Sequence, residues 1–230
     1  MKVSIIGQGY VGLTIAVSAA KVGHKVLGLD VNRELVDQLN GGHSHIEGIA
    51  NSELLKLIES SFYSATDDAS SIEGSDVIVI AVPTPLDSER NPDLSYVHAA
   101  AELIAKNVKT AALIVNESTS YPGTLRKEIA GRITGAEHLF VSSPERVDPG
   151  NSEWGTRNTP RLIGGLTPAA VAKAREFYGS FCDSIIEVSS PEVAEAAKVF
   201  ENTFRQVNIA LVNEFAQISD VLGISSREVI

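Results

Sequence analysis

A glycine-rich segment near the N-terminus has the residue types and spacing of a phosphate-binding turn. The sequence Gly7-Gln8-Gly9-Tyr10-Val11-Gly12 fits the pattern G-x-G-x-x-G, directly after an apolar run and before a helical pattern. In such a turn the first glycine permits the bend, the second lets the backbone approach a pyrophosphate, and the third lets the helix pack on the strand. The pyrophosphate would lie at the helix N-terminus, which favours an anion. The predicted cofactor-binding residues here are Gly7, Gly9, Tyr10, Val11 and Gly12.

An acidic residue follows this turn at the position that a dinucleotide site requires. Asp30 ends the next predicted strand, roughly 20 residues after the glycines. A carboxylate there binds the ribose hydroxyls and repels a 2′-phosphate, which predicts NAD as the cofactor. Arg33 lies nearby and is a second predicted cofactor contact; it leaves NADP open as the alternative.

Polar residues also follow three later predicted strands. They lie in the segments Ala81–Pro85, Glu117–Thr119 and Ser143–Gly150. The carboxyl ends of parallel strands form the edge of an open α/β sheet where ligands bind. A later helix adds two polar residues four positions apart, which therefore share one face. The candidate residues of this group are Pro83, Thr84, Thr119, Glu145, Lys198 and Asn202, whereas Glu117, Arg146 and Asp148 lie in the same segments without an assigned role.

Ordinary structural explanations exist for these polar residues. Lys198 and Asn202 could be polar positions on a long helix, and Glu145 follows a proline in a loop, where a solvated carboxylate is common. The residues themselves leave this choice open.

The elements that must position these residues alternate between apolar runs and helical patterns. Continuous apolar strands separated by helices predict an α/β fold, a Rossmann-type doubly wound parallel sheet covered on both faces. The predicted strands are Val3–Ile6, Lys25–Leu29, Val77–Val82, Ala111–Val115, Leu139–Val141 and Ile185–Val188. The predicted helices are Leu13–Val22, Glu34–Leu39, Leu94–Ile104, Pro122–Ile133 and Pro168–Tyr178.

A much longer helical pattern runs from Ser190-Pro191 to Leu222 and keeps its apolar residues to one stripe. It predicts a spine helix between two domains: an NAD-binding domain at 1–188 and, from 189 to 230, the long helix and the start of a second, α-helical domain. Gly223 predicts the C-terminal cap of this helix, and a new helix starts at Ser225. Because the sequence stops inside that helix, we expect residue 230 to be a truncation.

Composition excludes several classes of protein. The net charge of −10 and the pI near 5.0 argue against a nucleic-acid partner and against binding to an anionic membrane. No apolar run is long enough to cross a bilayer. The single cysteine, Cys182, excludes an internal disulfide, and the chain shows no Cys/His cluster at metal-ligand spacing. We therefore expect a cytoplasmic protein without a metal.

In this order, the segments resemble the UDP-glucose/GDP-mannose dehydrogenase family over essentially the whole chain. Ser-Pro-Glu-Arg-Val-Asp-Pro-Gly at 143–150 and Glu-Asn-Thr-Phe-Arg-Gln-Val-Asn at 201–208 are most similar to the branch that acts on UDP-N-acetylhexosamines. The resemblance implies oxidation of the sugar C6 alcohol to a carboxylate, by two hydride transfers to two NAD molecules. The reaction would pass through a cysteine-bound thiohemiacetal and then a thioester. UDP-N-acetylglucosamine is the first expected substrate and UDP-N-acetylmannosamine the second, for synthesis of surface polysaccharides.

The resemblance also implies a role for each candidate residue. Thr84 and Thr119 would contact the cofactor and position a water. Glu145 would serve as general acid and base in thioester hydrolysis, Lys198 would stabilise oxyanion charge at C6, and Asn202 would orient the same centre. The long helix resembles the family's dimer core, which implies a homodimer.

One departure from the family is the nucleophile. In the family the catalytic cysteine lies in a glycine-rich segment beyond the long helix, and Cys182 does not fit that pattern. We therefore expect this chain to bind NAD and to be inactive alone. The alternatives are a UDP-glucose 6-dehydrogenase, a two-electron 3-hydroxyacid-type dehydrogenase without a cysteine, and a non-catalytic NAD-binding fragment.

Overall fold

The computed structural model describes residues 1–147 and 154–230, and this part of the chain contains one eight-stranded sheet. The spatial order of the strands is β3-β2-β1-β4-β5-β6-β7-β8, and all neighbours are parallel except β6 and β7. The strands are β1 Lys2–Ile6, β2 Lys25–Leu29, β3 Tyr63–Thr66, β4 Val77–Ile80, β5 Leu113–Asn116, β6 Leu139–Ser142, β7 Arg161–Gly165 and β8 Ile185–Glu187.

Helices cover both faces of this sheet. They are α1 Tyr10–Lys21, α2 Arg33–Asn40, α3 Asn51–Glu59, α4 Ser95–Asn107, α5 Pro168–Tyr178, α6 Pro191–Leu222 and α7 Ser226–Val229. A 3₁₀ turn spans Ala69–Ile72, and a π-helical segment spans Leu125–Ala130. The predicted Rossmann-type doubly wound fold is confirmed.

The central strands are buried on both faces, which explains their uninterrupted apolar sequence. In β4, Val77 and Val79 pack in a core with α1 and α5, while Ile78 and Ile80 face a second core with α4. The strand order changes direction between β1 and β4, so the carboxyl ends of these two strands border a crevice. The candidate residues of the sequence cluster at this edge.

Several elements differ from the sequence-based expectations. β3 and α3 were not predicted. β3 lacks the apolar run of the central strands, because it is a short edge strand whose outward positions are polar. The helix predicted over Pro122–Ile133 is the shorter π-helical segment Leu125–Ala130. Gly123 explains the difference, since its φ of 99° is incompatible with a helix that starts at Pro122.

The long helix α6 has the predicted bounds. It begins with Pro191 in its first turn and ends at Gly223, whose φ of 67° is the left-handed conformation of a C-terminal cap. Only its first two turns pack closely on the domain, and most of its later apolar side chains are exposed. In the described ranges no helix is both long and apolar enough to cross a membrane. The domain boundary near residue 188 stays a prediction.

Candidate cofactor and active site

The three glycines of the N-terminal turn meet different surroundings. A Cβ on Gly7 would lie 2.5 Å from the carbonyl oxygen of Ala81, and one on Gly12 would lie 1.8 Å from that of Gly7. A Cβ on Gly9 would meet nothing within 4 Å. Gly7 and Gly12 are therefore fixed by close packing, whereas the open side of Gly9, at the N-cap of α1, is where a pyrophosphate fits.

A buried glutamine holds this turn in place. Gln8 donates from Nε2 to the carbonyl oxygen of Ile5 at 2.9 Å and accepts at Oε1 from the Tyr63 hydroxyl at 2.9 Å. A Cβ on Gly28 would come within 2.4 Å of Gln8 Oε1. The role of Gln8 was not predicted, because the glycine pattern accepts any residue at this position and β3, which carries Tyr63, was not recognised.

Asp30 lies at the end of β2, beside the turn, as the sequence predicted. Its carboxylate accepts the backbone N–H of Gln8 at 2.7 Å and that of Asn32 at 2.9 Å. These bonds fix the carboxylate while leaving it half exposed, in a position to bind ribose hydroxyls. Arg33 begins α2 with its side chain exposed. The residues of this turn thus fit a dinucleotide.

A cleft of about 290 Å³ continues from the turn across the strand ends to α6. It brings together candidate residues from five different segments of the chain. The predicted residues that line it are Tyr10, Val11, Pro83, Thr84, Thr119, Glu145, Lys198 and Asn202. The wall is completed by Ala81, Val82, Glu117, Ser118, Val147 and Arg205. Five predicted residues lie outside it: Gly7, Gly9, Gly12, Asp30 and Arg33.

Glu145 is a buried carboxylate with several donors. One oxygen accepts the backbone N–H groups of Arg146 at 2.7 Å and Val147 at 2.8 Å, and the other accepts Nη2 of Arg161 at 2.6 Å. Burial alone would raise its pKa, but Arg161 and the two N–H groups outweigh it and hold the pKa below its usual range. Glu145 is therefore ionised at neutral pH.

Arg161 reaches this edge because β7 runs against β6. Ser142 pairs with Gly164, so the first residue of β7 lies beyond the last residue of β6. The guanidinium also donates from Nη1 to Glu117 at 2.5 Å and lies 4.4 Å from the ring centre of Tyr178. Sequence reasoning missed Arg161, because nothing in its own segment shows that the strand is antiparallel.

Glu117 is fully buried at the back of the cleft. Its Oε1 accepts both Arg161 and the Tyr178 hydroxyl. Its Oε2 has no hydrogen-bond partner among the described residues. Burial outweighs the attraction of Arg161 and raises the pKa of this carboxyl to about 7.

α6 contributes Lys198 and Asn202 to the opposite wall. Lys198 is buried, and this burial lowers the pKa of its ammonium even though Glu201 and Glu145 act in the other direction. Asn202 follows one turn later and is half-buried. An ion pair of 3.0 Å between Arg146 Nε and Glu201 Oε2 ties the Glu145 loop to this helix.

Cys182 is buried outside the cleft, with its sulfur 3.4 Å from the carbonyl oxygen of Thr156. Burial raises the pKa of its thiol, which makes it a poor nucleophile. Asp148, which sequence reasoning left without a role, lies outside the described residues. In the described part of the chain, no group of three His, Cys, Asp or Glu residues could hold a metal ion.

Proteins of known function resemble the chain throughout its length. UDP-N-acetyl-D-mannosamine dehydrogenase of Pyrococcus horikoshii is 35% identical over 237 residues, which cover 100% of this chain and 56% of that protein. The enzyme of the same name from Salmonella typhi is 37% identical, with 99% and 57% covered. The chain spans about half the length of these relatives.

Solved structures are also similar to the chain over its whole length. The P. horikoshii enzyme structure superposes with a TM-score of 0.91 at 34% identity and covers 100% of this chain and 56% of that one. A UDP-glucose dehydrogenase from Pyrobaculum islandicum gives 0.91 at 29% identity, with 99% and 55% covered.

Two stretches of the chain correspond to successive domains of one family. Residues 1–182 match the NAD binding domain of the UDP-glucose/GDP-mannose dehydrogenases, and residues 192–230 match their central domain. The glycine turn, Asp30 and the strand-end cleft all lie in these stretches, and the cofactor is NAD. The chain belongs to the UDP-glucose/GDP-mannose dehydrogenase family.

Proposed function

We propose that this chain supplies the NAD site and the acid–base residues of a UDP-N-acetylhexosamine 6-dehydrogenase, which oxidises the C6 alcohol of the sugar to a carboxylate. One observation carries the proposal. A single cleft joins the cofactor turn to an ionised carboxylate, Glu145, and a buried ammonium, Lys198. These are the groups that removal of a proton and stabilisation of an oxyanion require.

Each side chain has a role that its surroundings support. NAD supplies the hydride acceptor when bound at the glycine turn. Lys198 stabilises negative charge on the C6 oxygen, because its partly desolvated ammonium interacts with an anion more strongly than a hydrated one does. Asn202, one turn along α6, orients the same carbon.

The remaining candidates act on water and the cofactor. Glu145 is ionised and lines the cleft, so it can accept a proton from the water that hydrolyses a thioester. Thr84 and Thr119 line the same cleft and would position that water and the nicotinamide. The thioester requires a cysteine that Cys182 does not provide, since that thiol is buried outside the cleft.

The sugar is proposed from the names of the relatives. Those of P. horikoshii and S. typhi are named for UDP-N-acetyl-D-mannosamine, whereas our sequence analysis placed UDP-N-acetylglucosamine first. Both sugars carry the 2-acetamido group, and they differ in the configuration at C2. We therefore propose a UDP-N-acetylhexosamine as the substrate class and take the two epimers as competing substrates.

NADH counting tests this function. The complete reading frame that contains the chain is incubated with UDP-N-acetylmannosamine, UDP-N-acetylglucosamine, UDP-glucose or GDP-mannose, and NADH is measured against sugar consumed. We expect two NADH per molecule of one N-acetylated sugar. One NADH per substrate would favour a two-electron dehydrogenase, and two from UDP-glucose would replace the proposed substrate.

Two further properties belong to the same proposal. Residues 1–230 alone bind NAD without turnover, which calorimetry and the NADH assay can check together. The protein is a cytoplasmic homodimer: the exposed apolar side chains of α6 support the dimer, and the single, unpaired cysteine fits a reducing compartment.

A further inference from the structure

Two buried carboxylates in this site share one guanidinium. Arg161 donates from Nη1 to Glu117 and from Nη2 to Glu145, and the side chains of Arg161, Glu117 and Glu145 are only 3%, 0% and 9% exposed. If both carboxyls were ionised, two negative charges would face one positive charge, and these three side chains would have almost no access to water. Such a charge is costly, so one carboxyl of the pair holds a proton.

The hydrogen bonds show which carboxyl holds it. Both oxygens of Glu145 accept bonds, from two backbone N–H groups and Arg161. Glu117 receives its two donors on Oε1 alone, while its buried Oε2 accepts none from the described residues. Donors to both oxygens stabilise an anion, so the charge belongs on Glu145 and the proton on Glu117.

We propose that Arg161 is the positioning residue for Glu145, and that Glu117 holds a proton so that the single guanidinium charge serves Glu145. The inference rests on the proposed function, in which Glu145 activates water. Arg161 is itself fixed by Ser143, whose Oγ lies 3.3 Å from Nη1, and by the ring of Tyr178. The result is a carboxylate that is ionised and held in one orientation at the cleft wall.

Further charged and titratable groups lie around the pair. Arg146 donates its backbone N–H to Glu145, and Tyr178 on α5 and Cys182 after α5 interact with Glu117 and Arg161. On α6, Lys198 interacts with Glu145 and with Glu201 and Arg205 of its own helix. The pKa directions agree with the hydrogen bonds: that of Glu117 is raised to about 7 and that of Glu145 is lowered.

Direct titration tests whether Glu117 holds this proton, and it does not require turnover. The full chain is labelled with ¹³C at glutamate carboxyls, and the two signals are assigned by their loss in Glu117→Gln and Glu145→Gln. We expect the Glu117 signal to titrate near neutral pH. In Glu145→Gln it should titrate at least about one pH unit lower, because the repulsion is removed and Arg161 is released. A Glu117 signal that titrates with exposed glutamates, or that does not move in Glu145→Gln, overturns the inference.

Turnover of the complete protein tests the positioning role. Arg161→Lys keeps the charge but lacks the planar guanidinium whose two terminal nitrogens each reach one carboxylate. We expect kcat to fall about 100-fold because Glu145 is misplaced, while KM for NAD and sugar changes by less than about twofold. The matched control is Arg175→Lys on α5, where the guanidinium pairs with Glu187 at the surface.

The outcomes separate the two proposals. Normal turnover in Glu145→Gln contradicts the role of Glu145 and so the proposed function. Loss of turnover in Glu145→Gln with normal kcat in Arg161→Lys contradicts only the positioning role. If Arg161→Lys fails to fold, the glutamate titrations decide the matter.

Discussion

At the scale of single residues, Gly9 and Gly12 should separate cofactor binding from folding. Gly9 has an ordinary φ of −69° and open space at its Cβ position, so Gly9→Ala is compatible with the fold. The added methyl group points into the space proposed for the pyrophosphate. We expect NAD binding to weaken at least about tenfold, or 1.4 kcal/mol, with an unchanged melting temperature.

Gly12→Ala is the matched control for this prediction. Its methyl carbon would lie 1.8 Å from the oxygen of Gly7, so α1 must move away from β1 and the melting temperature must fall. Calorimetry with NAD and thermal unfolding of both variants make the comparison. Unaltered NAD affinity in Gly9→Ala would contradict the placement of the pyrophosphate.

Glu117 should make the protein less stable as pH rises. Its pKa of about 7 lies above the value of 4.5 for a free glutamate. Between these values the folded chain keeps a proton that the unfolded chain has released, so the free energy of unfolding decreases with rising pH. Glu117→Gln removes this dependence, and its stability relative to the wild type should increase between pH 4.5 and 7.5 by up to about 3 kcal/mol.

Urea unfolding at several pH values measures this effect. Glu187→Gln, at an exposed site, provides the control, because a surface carboxylate loses little of its hydration when the chain folds. Parallel pH profiles for the wild type and Glu117→Gln would show that Glu117 ionises normally in the folded chain.

The sequence predicted the candidate residues better than their partners. Periodicity placed Glu145, Lys198 and Asn202 at a strand end and on one helix face, and the resemblance to the family made them candidates for catalysis. All three line one cleft. Arg161 could not be predicted. It depends on the antiparallel direction of β7, which is a property of the sheet and not of the residues in that strand.

At the scale of elements, Glu195 joins α6 to the segment that carries Thr119. This buried carboxylate accepts the backbone N–H of Gly123 at 2.6 Å and that of Leu125 at 2.8 Å. It thereby caps the π-helical segment Leu125–Ala130 from a different helix. The contact fixes the distance between the two walls of the cleft, because Lys198 lies one turn further along α6.

We expect Glu195→Ala to lower the free energy of unfolding by about 3 kcal/mol, because two buried N–H groups lose a charged acceptor. Glu195→Gln should recover part of the loss. Glu192→Ala on the same helix breaks an exposed pair with Arg126, and its effect should stay within about 1 kcal/mol. Chemical denaturation measures all three variants, and equal effects of Glu195→Ala and Glu192→Ala would contradict the capping role.

This contact also explains an element that the sequence could not predict. The apolar pattern after Pro122 indicates a regular helix, yet the segment starts later and has π geometry. Its first N–H groups are satisfied by a glutamate that is about 70 residues away in sequence, and local propensity contains no information on such a partner. The α6 bounds were predictable, because Pro191 and Gly223 are local signals.

At the scale of the whole molecule, the cleft lies where the sheet reverses its winding, at the ends of β1 and β4. The turn on β1, the loops after β4, β5 and β6, and the first turns of α6 each supply part of it. No single segment contains the site. Buried hydrogen bonds and ion pairs hold these parts in place. They join Gln8 to Tyr63, Arg161 to Glu117 and Glu145, and Glu195 to the start of the π-helical segment.

The part of α6 beyond its first two turns predicts self-association of the chain. Phe200, Phe204, Val207 and Leu211 recur at helical spacing and are 60–72% exposed. A continuous apolar stripe of this kind marks an interface with another protein surface. We propose that its occupant is a second copy of the chain, because a two-fold interface can pair the same stripe with itself.

Phe204→Glu should therefore convert a dimer into a monomer. A carboxylate in the middle of the stripe would be desolvated next to its symmetry mate, and both effects oppose association. Sedimentation velocity at micromolar concentration measures the change. The control is Tyr96→Glu on α4, which adds the same charge at another exposed aromatic position and should leave the dimer intact. A wild-type monomer, or a dimer that survives Phe204→Glu, would show that this stripe is not the dimer interface.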